Sequence, residues 1–311
     1  MRIPQFNRHV QWIVGVLAIF SLTGCPKPPA SDPAQVSAKP RVVATNLPLK
    51  YFAVRIGESI VGVDFLVPED DDPAYWVPEP DAILNMQSAD LVLMNGADYE
   101  KWLNTVTLND SRVIDTSSAF KQAFITMKGA VTHSHGPTGE HTHSGLAKTT
   151  WLDFQQARMQ ANAIVEAFSK RWPEHREAFE ANGKLLDDDL IQLDRVMTAT
   201  AAKIGQTPLV VSHPEYDYWA RRYELNVAAV HWEADEDPDD DALAELTTLI
   251  ANHPAKIMIW EDEPHEAAVA KLDAMGIKSV VFAPRGNASG DTDWLTMMRE
   301  NVAELDNAFS H

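Results

Sequence analysis

Four histidines, His133, His135, His141 and His143, lie within eleven residues as two His-x-His pairs in the segment Thr132-His-Ser-His-Gly-Pro-Thr-Gly-Glu-His-Thr-His143. Neutral imidazole is a ligand for zinc, copper and nickel. A polar, Gly/Pro-containing loop can gather several imidazoles around one ion without a preformed cage. Metal capture is therefore the chemistry expected of this segment, and a solvated His-rich loop without a ligand is the competing reading. Further candidates lie where strands are predicted to end. His213 follows the apolar run Pro208-Leu-Val-Val-Ser212, Glu261 opens Glu261-Asp-Glu-Pro-His265 after Lys256-Ile-Met-Ile-Trp260, and His231 and Glu233 flank Trp232 after a third run. Ligands in open α/β sheets sit outside the carboxyl ends of the strands. Each has a bland alternative. His231 is equally a rim histidine, and the acids at 261–263 equally complement the start of a helix. Asp72 enters as a carboxylate close in sequence to Ala74.

Catalytic signatures are missing from the sequence. It contains no strand–Gly-x-Ser-x-Gly elbow, no Gly-rich phosphate loop and no His-Glu-x-x-His helix. No enzyme is expected.

The amino terminus reads as an export signal. Arg2 and Arg8 form a basic region, residues 12–22 are a short apolar run, and Leu22-Thr-Gly-Cys25 has the form of a lipobox. The apolar run is shorter than the roughly 20 residues that a spanning helix needs. Cys25 is the only cysteine, so no internal disulfide can form, and it is the residue that a lipid modification requires. Residues 26–40 are rich in Pro, Ala and Ser and lack aromatics, the composition of a semi-extended tether. About 270 residues then remain, enough for one large or two ordinary α/β domains. The formal charge of −19 becomes more negative once Arg2 and Arg8 are removed. Such a surface argues against nucleic acid and attracts cations, while the acidic runs at 70–72, 187–189 and 235–241 also read as solvated loops and helix starts.

The elements that must position these residues alternate. Strands are expected near 42–44, 61–67, 90–95 and 112–115, with helices at 49–56, 80–89 and 99–106 between them. A second series follows Gly205, with strands at 208–212, 227–232, 256–260 and 279–282. Helices are expected there at 218–223, 240–252, 265–275 and 294–309. Between the two series, 155–172 and 174–202 carry helical apolar spacing with a break at Pro173. This pattern implies α/β lobes with mainly parallel sheets and covering helices, joined by a long linking helix. The expected organisation is a signal peptide at 1–24 and a lipidated tether at 25–40. An N-terminal lobe at 41–152 carries the His-rich loop 132–145, a helical linker spans 153–204, and a C-terminal lobe spans 205–311.

Taken in order, these segments resemble the zinc/manganese solute-binding proteins of bacterial ABC importers. The resemblance rests on Val42-Val-Ala-Thr-Asn-Leu-Pro-Leu49, Val67-Pro68, Pro78-Glu-Pro80, Ala89-Asp-Leu-Val-Leu-Met-Asn-Gly96, Trp151-Leu-Asp153 and Val210-Val-Ser-His-Pro-Glu-Tyr-Asp-Tyr218, together with the lipobox and the His loop. It covers nearly all of the chain after the tether. The resemblance implies two lobes with an ion in the cleft, held by three His and a carboxylate or by two His and two carboxylates. This chain departs from that pattern. Ala74, Thr149 and Ala283-Pro284 stand at three of the positions, and only His213 remains. The implied function is extracytoplasmic capture of Zn²⁺, or next Mn²⁺, by a lipid-anchored monomer that serves a membrane permease. The alternative is a remodelled binding lipoprotein, in which only the His loop buffers metal and the cleft holds another ligand or partner. The stiffness of the long helix implies lobes that move little, and imidazole ligation implies affinity that falls as pH drops through about 6.5.

Overall fold

A parallel sheet with buried central strands and half-buried edges organises each half of the molecule. The computed structural model describes residues 39–69, 71–127, 131–135, 139–143, 145–287 and 290–310. The export signal, Cys25 and the tether up to residue 38 lie outside the described residues. In the N-terminal half β1 (Arg41–Ala44), β2 (Gly62–Phe65), β3 (Leu91–Met94) and β4 (Val113–Asp115) form a parallel sheet in the order β2-β1-β3-β4. Side chains alternate across a strand, so Val42 and Ala44 face Leu49 and Phe52 of α1 (Leu47–Gly57). Val43 turns the other way, toward Trp76, Trp102 and Met86 of α2 (Pro80–Ser88).

In the C-terminal half β7 (Leu209–Val211), β8 (Val227–Ala229), β9 (Ile257–Trp260) and β10 (Lys278–Val281) form the second parallel sheet, in the order β10-β9-β7-β8. Helices α5 (Asp217–Arg222), α6 (Asp240–Asn252) and α7 (Glu266–Ala274) connect its strands, and α8 (Trp294–Ala308) ends the chain.

Two helices join the halves. Helix α3 (Phe154–Arg171) ends before Pro173, and a short 3-10 turn, Pro173–His175, leads into α4 (Arg176–Ile204). At 29 residues α4 is roughly 43 Å long. Its buried stripe of Phe179, Leu186, Leu190, Leu193, Met197, Ala201 and Ile204 belongs to one core cluster with Val42 and Leu91 of the first sheet and Leu209 and Val211 of the second. The C-terminal helix crosses back to the N-terminal half, where Trp294 meets Phe52 edge-on at 5.2 Å between ring centroids. The lobes thus share a packed core along a stiff helix.

Two expectations need correction. Residues 99–106 do not form an α-helix but a 3-10 turn, Lys101–Thr105. The chain reverses through positive φ at Gly96, Ala97 and Asp98, and the Glu100 carboxylate accepts from the amides of Asn95 and Gly96 and the hydroxyl of Thr45. Those bonds compete with helical ones. The His-rich segment, expected as an irregular loop, has a backbone paired as an antiparallel hairpin of β5 (Val131–His135) and β6 (Gly139–His143), with His133 in register with His141. Its Val and Thr residues suit a pleated ladder.

Candidate metal centre

The chain folds locally so that three neighbouring strands end at one point. From β7 it crosses first to β8 on one side and later to β9 on the other, so β7 marks where the strand order reverses. A crevice opens at such a point beyond the carboxyl ends. His213 follows β7, Glu233 lies beyond β8 and Glu261 follows β9 directly. Ser212, fully buried, fixes all three ends. Its amide donates to the Ile259 carbonyl at 2.8 Å, its carbonyl accepts from Trp232 N at 2.7 Å, and its hydroxyl accepts from Glu261 N at 3.3 Å.

Among the described residues, one group of three metal-ligating side chains converges: His213, Glu233 and Glu261, with ligand atoms all within 4.8 Å of one another. His213 Nδ1 lies 3.3 Å from Glu233 Oε1 and 3.9 Å from Glu261 Oε1. The imidazole is buried, while both carboxylate side chains are 22 % exposed, so an ion has an entry side. One imidazole nitrogen and two carboxylates suit borderline and hard divalent cations, zinc and manganese included.

The electrostatics fit a cation-seeking site. Burial pushes the His213 pKa down, but the bond to Glu233 and the charges of Glu261, Glu215 and Glu233 outweigh it and lift the ring to about 9. Burial lifts the Glu261 carboxyl to about 8, with Glu233, Glu215 and Asp72 adding to the rise and His213 opposing it. Glu215 rises to about 6, again chiefly by burial. An arriving cation therefore replaces protons. Beside Glu233 a pocket of about 170 Å³ is lined by His231, Glu236, Asp237 and Asp239, and this acidic rim draws cations toward the group.

The other candidates are placed differently. The His231 ring stands 6.0 Å from that of His213, edge-on, and outside the three-residue group. Burial and the His213 charge lower its pKa. Asp72 is exposed, and its Oδ1 accepts from Ala74 N at 2.8 Å, which closes a turn. Its charge still reaches Glu215 and Glu261. The segments flanking β5 and β6 pair with each other just before Thr149, whose hydroxyl reaches the Glu215 carbonyl. Met127 N donates to the Gly145 carbonyl and Ala147 N to the Ile125 carbonyl, both at 2.9 Å, two residues before Thr149. Placement of the side chains of His133, His135, His141 and His143 lies outside what is described.

The three positions where the resemblance implies ligands, Ala74, Thr149 and Ala283, are taken up by packing and hydrogen bonds. Ala74 is buried, the Thr149 hydroxyl donates to the Glu215 carbonyl, and Ala283 exchanges hydrogen bonds with Asn301. The sequence offers both His231 and Glu233 as strand-end candidates, and Ser212 is not among them. The signal for Ser212 was its place between a buried strand and a candidate ligand.

Comparisons with known proteins agree with this architecture. A family model described as the periplasmic zinc-uptake complex component A, ZnuA, matches residues 42–308. The chain is 28 % identical over 285 residues to the high-affinity zinc uptake system protein ZnuA of Bacillus subtilis, covering 86 % of each chain. It is 26 % identical over 263 residues to the manganese-binding lipoprotein MntA of the same organism, covering 82 % of this chain and 80 % of that one. The solved Zn(II)-bound ZnuA-like domain of Streptococcus pneumoniae AdcA aligns with a TM-score of 0.74 at 20 % identity, over 88 % of this chain and 100 % of that domain. Of the whole AdcA lipoprotein the chain spans 60 %.

Proposed function

Because the chain belongs to the periplasmic zinc-uptake complex component A family, we propose that it is the extracytoplasmic capture component of a metal importer, with a divalent transition ion as its cargo. The observation that carries this reading is the convergence of His213, Glu233 and Glu261 at the ends of three adjacent strands. In this reading the three side chains hold the ion, Ser212 keeps their strand ends in register, and the His hairpin collects ions at lower affinity. Zinc is the first choice of ion and manganese the second, since an imidazole favours the former and the carboxylates admit the latter. No chemical step is involved. The ion is handed to a membrane permease, and the protein is a lipid-anchored monomer held through Cys25. Among the described residues no helix is long and apolar enough to cross a membrane.

Metal content after mild dialysis tests the reading, measured on the parent, on a form lacking residues 132–145 and on His213→Ala. The reading expects zinc to survive loop deletion and to be lost from His213→Ala. Metal lost with the loop and kept in His213→Ala would assign binding to the hairpin alone. The anchor is tested separately: Cys25→Ser is expected to leave the detergent phase, and a variant that still partitions with the parent contradicts the lipoprotein reading.

A further inference from the structure

His213, Glu233 and Glu261 all lie beyond strands of the C-terminal sheet, and among the described residues the N-terminal half adds no side chain to the group. It does reach the turn that carries His213. The Thr149 hydroxyl donates to the Glu215 carbonyl, and Glu215 N donates in turn to the His213 carbonyl at 2.8 Å. Two hydrogen bonds thus lead from Thr149 to the backbone of the candidate ligand. Within its own lobe the same turn is held by Tyr216, whose hydroxyl donates to the Phe282 carbonyl at 2.9 Å.

Thr149 has a rigid mount. It is buried, and the residues on either side of it are gripped by Asn95, just past the end of β3. Asn95 Nδ2 donates to the Lys148 carbonyl at 3.0 Å, and the Thr150 hydroxyl donates to Asn95 Oδ1 at 2.9 Å. Gln160 Nε2, from α3, donates to the same Oδ1 at 2.9 Å. Asn95, Thr150 and Gln160 are all fully buried, and a bonded polar network in the interior fixes a single arrangement. Threonine is itself stiff at χ1, because its Cβ is branched. The hydroxyl is therefore presented from a fixed point to a carbonyl two residues from His213.

We propose that Thr149 is a positioning residue for the cleft ion: its hydroxyl holds the His213 turn in the ligating geometry, so that a lobe supplying no ligand still sets the affinity. This inference rests on the proposed cleft site. A binding constellation has to be held within about 0.5 Å of its productive geometry. A turn released from Thr149 must be ordered again when the ion binds, and that ordering subtracts from affinity.

The test uses the full chain with zinc as the probe, and dissociation constants come from competition with a chromophoric chelator. Thr149→Val keeps the shape of the side chain and removes the hydroxyl. It is expected to bind zinc about five- to tenfold more weakly, with Thr149→Ser, which keeps the hydroxyl, within about twofold of the parent. A bond of purely structural value would destabilise the metal-free and zinc-loaded protein equally and leave the dissociation constant where it was, so denaturation of both forms separates the two roles. Should Thr149→Val fail to fold by circular dichroism, Thr149→Ala removes the same hydroxyl. Parent-like binding in the variant without the hydroxyl, or a Thr149→Ser variant as weak as that one, overturns the inference while the cleft site stands. Zinc binding that His213→Ala leaves at the parent's value overturns the cleft site and this inference together.

Discussion

Acidification should weaken metal binding in the cleft far more steeply than ordinary histidine chemistry allows. With His213 near 9 and Glu261 near 8, both groups are mostly protonated at pH 7 in the metal-free protein. A ligand atom must be deprotonated to coordinate, so binding at pH 7 should release about two protons. Between pH 8 and 6.5 these raised protonation equilibria weaken apparent affinity by well over tenfold. The same groups at their reference values would weaken it only about twofold. The window of an ordinary imidazole, near pH 6.5, thus moves upward in the cleft because carboxylates crowd His213. The assay is calorimetry on the form lacking residues 132–145, in buffers of differing ionisation enthalpy, with affinity followed by chelator competition from pH 6.5 to 8. A change below about fivefold, with fewer than half a proton released, would refute the reasoning, because His213 and Glu261 would then not exchange protons for metal.

Three further outcomes follow from the packing and charges. Glu261 keeps its proton well above its unfolded range, so its contribution to stability is present at low pH and lost as pH rises through about 8; His213, with its pKa raised above 6.5, loses its own contribution as pH climbs through about 9. Metal-free protein should therefore melt lower at pH 8 than at pH 5, and Glu261→Gln should narrow that gap; an unchanged gap would count against the buried carboxyl. Phe179→Ala opens a cavity where Phe168, Trp172 and Phe179 meet edge to face, and chemical denaturation should show a loss of about 3–5 kcal/mol. A loss below about 1 kcal/mol would mean that α4 is not packed into the shared core as described. Since α4 and α8 tie both lobes into one core, small-angle scattering profiles with and without zinc should nearly superimpose, and a large compaction would contradict the stiff spine.

Elements with local signals were legible in the sequence. Helix α6 falls on the expected residues because Asp239 caps it, accepting from Ala242 N at 2.8 Å, and two more acids occupy its first turn. Residues 99–106 misled because the partners of Glu100 include Thr45, far away in sequence. A periodic pattern cannot reveal such a bond. At the site, His213 was legible from its strand-end motif. Glu233 was not separable from His231, since both lie just past β8. Only the assembled sheet brings the Glu233 carboxylate, and not the His231 ring, into the group with His213 and Glu261. Asp72 carried the right chemistry, but its oxygen closes a turn with Ala74, and no spacing shows that.

The central claim is that His213, Glu233 and Glu261 hold the ion. Zinc-edge X-ray absorption on the zinc-loaded form lacking residues 132–145 tests it most directly. The account expects a shell of light N/O atoms at about 2.0–2.2 Å with the multiple scattering of a single imidazole. A shell containing two or more imidazoles, or no zinc retained once the loop is gone, would contradict it.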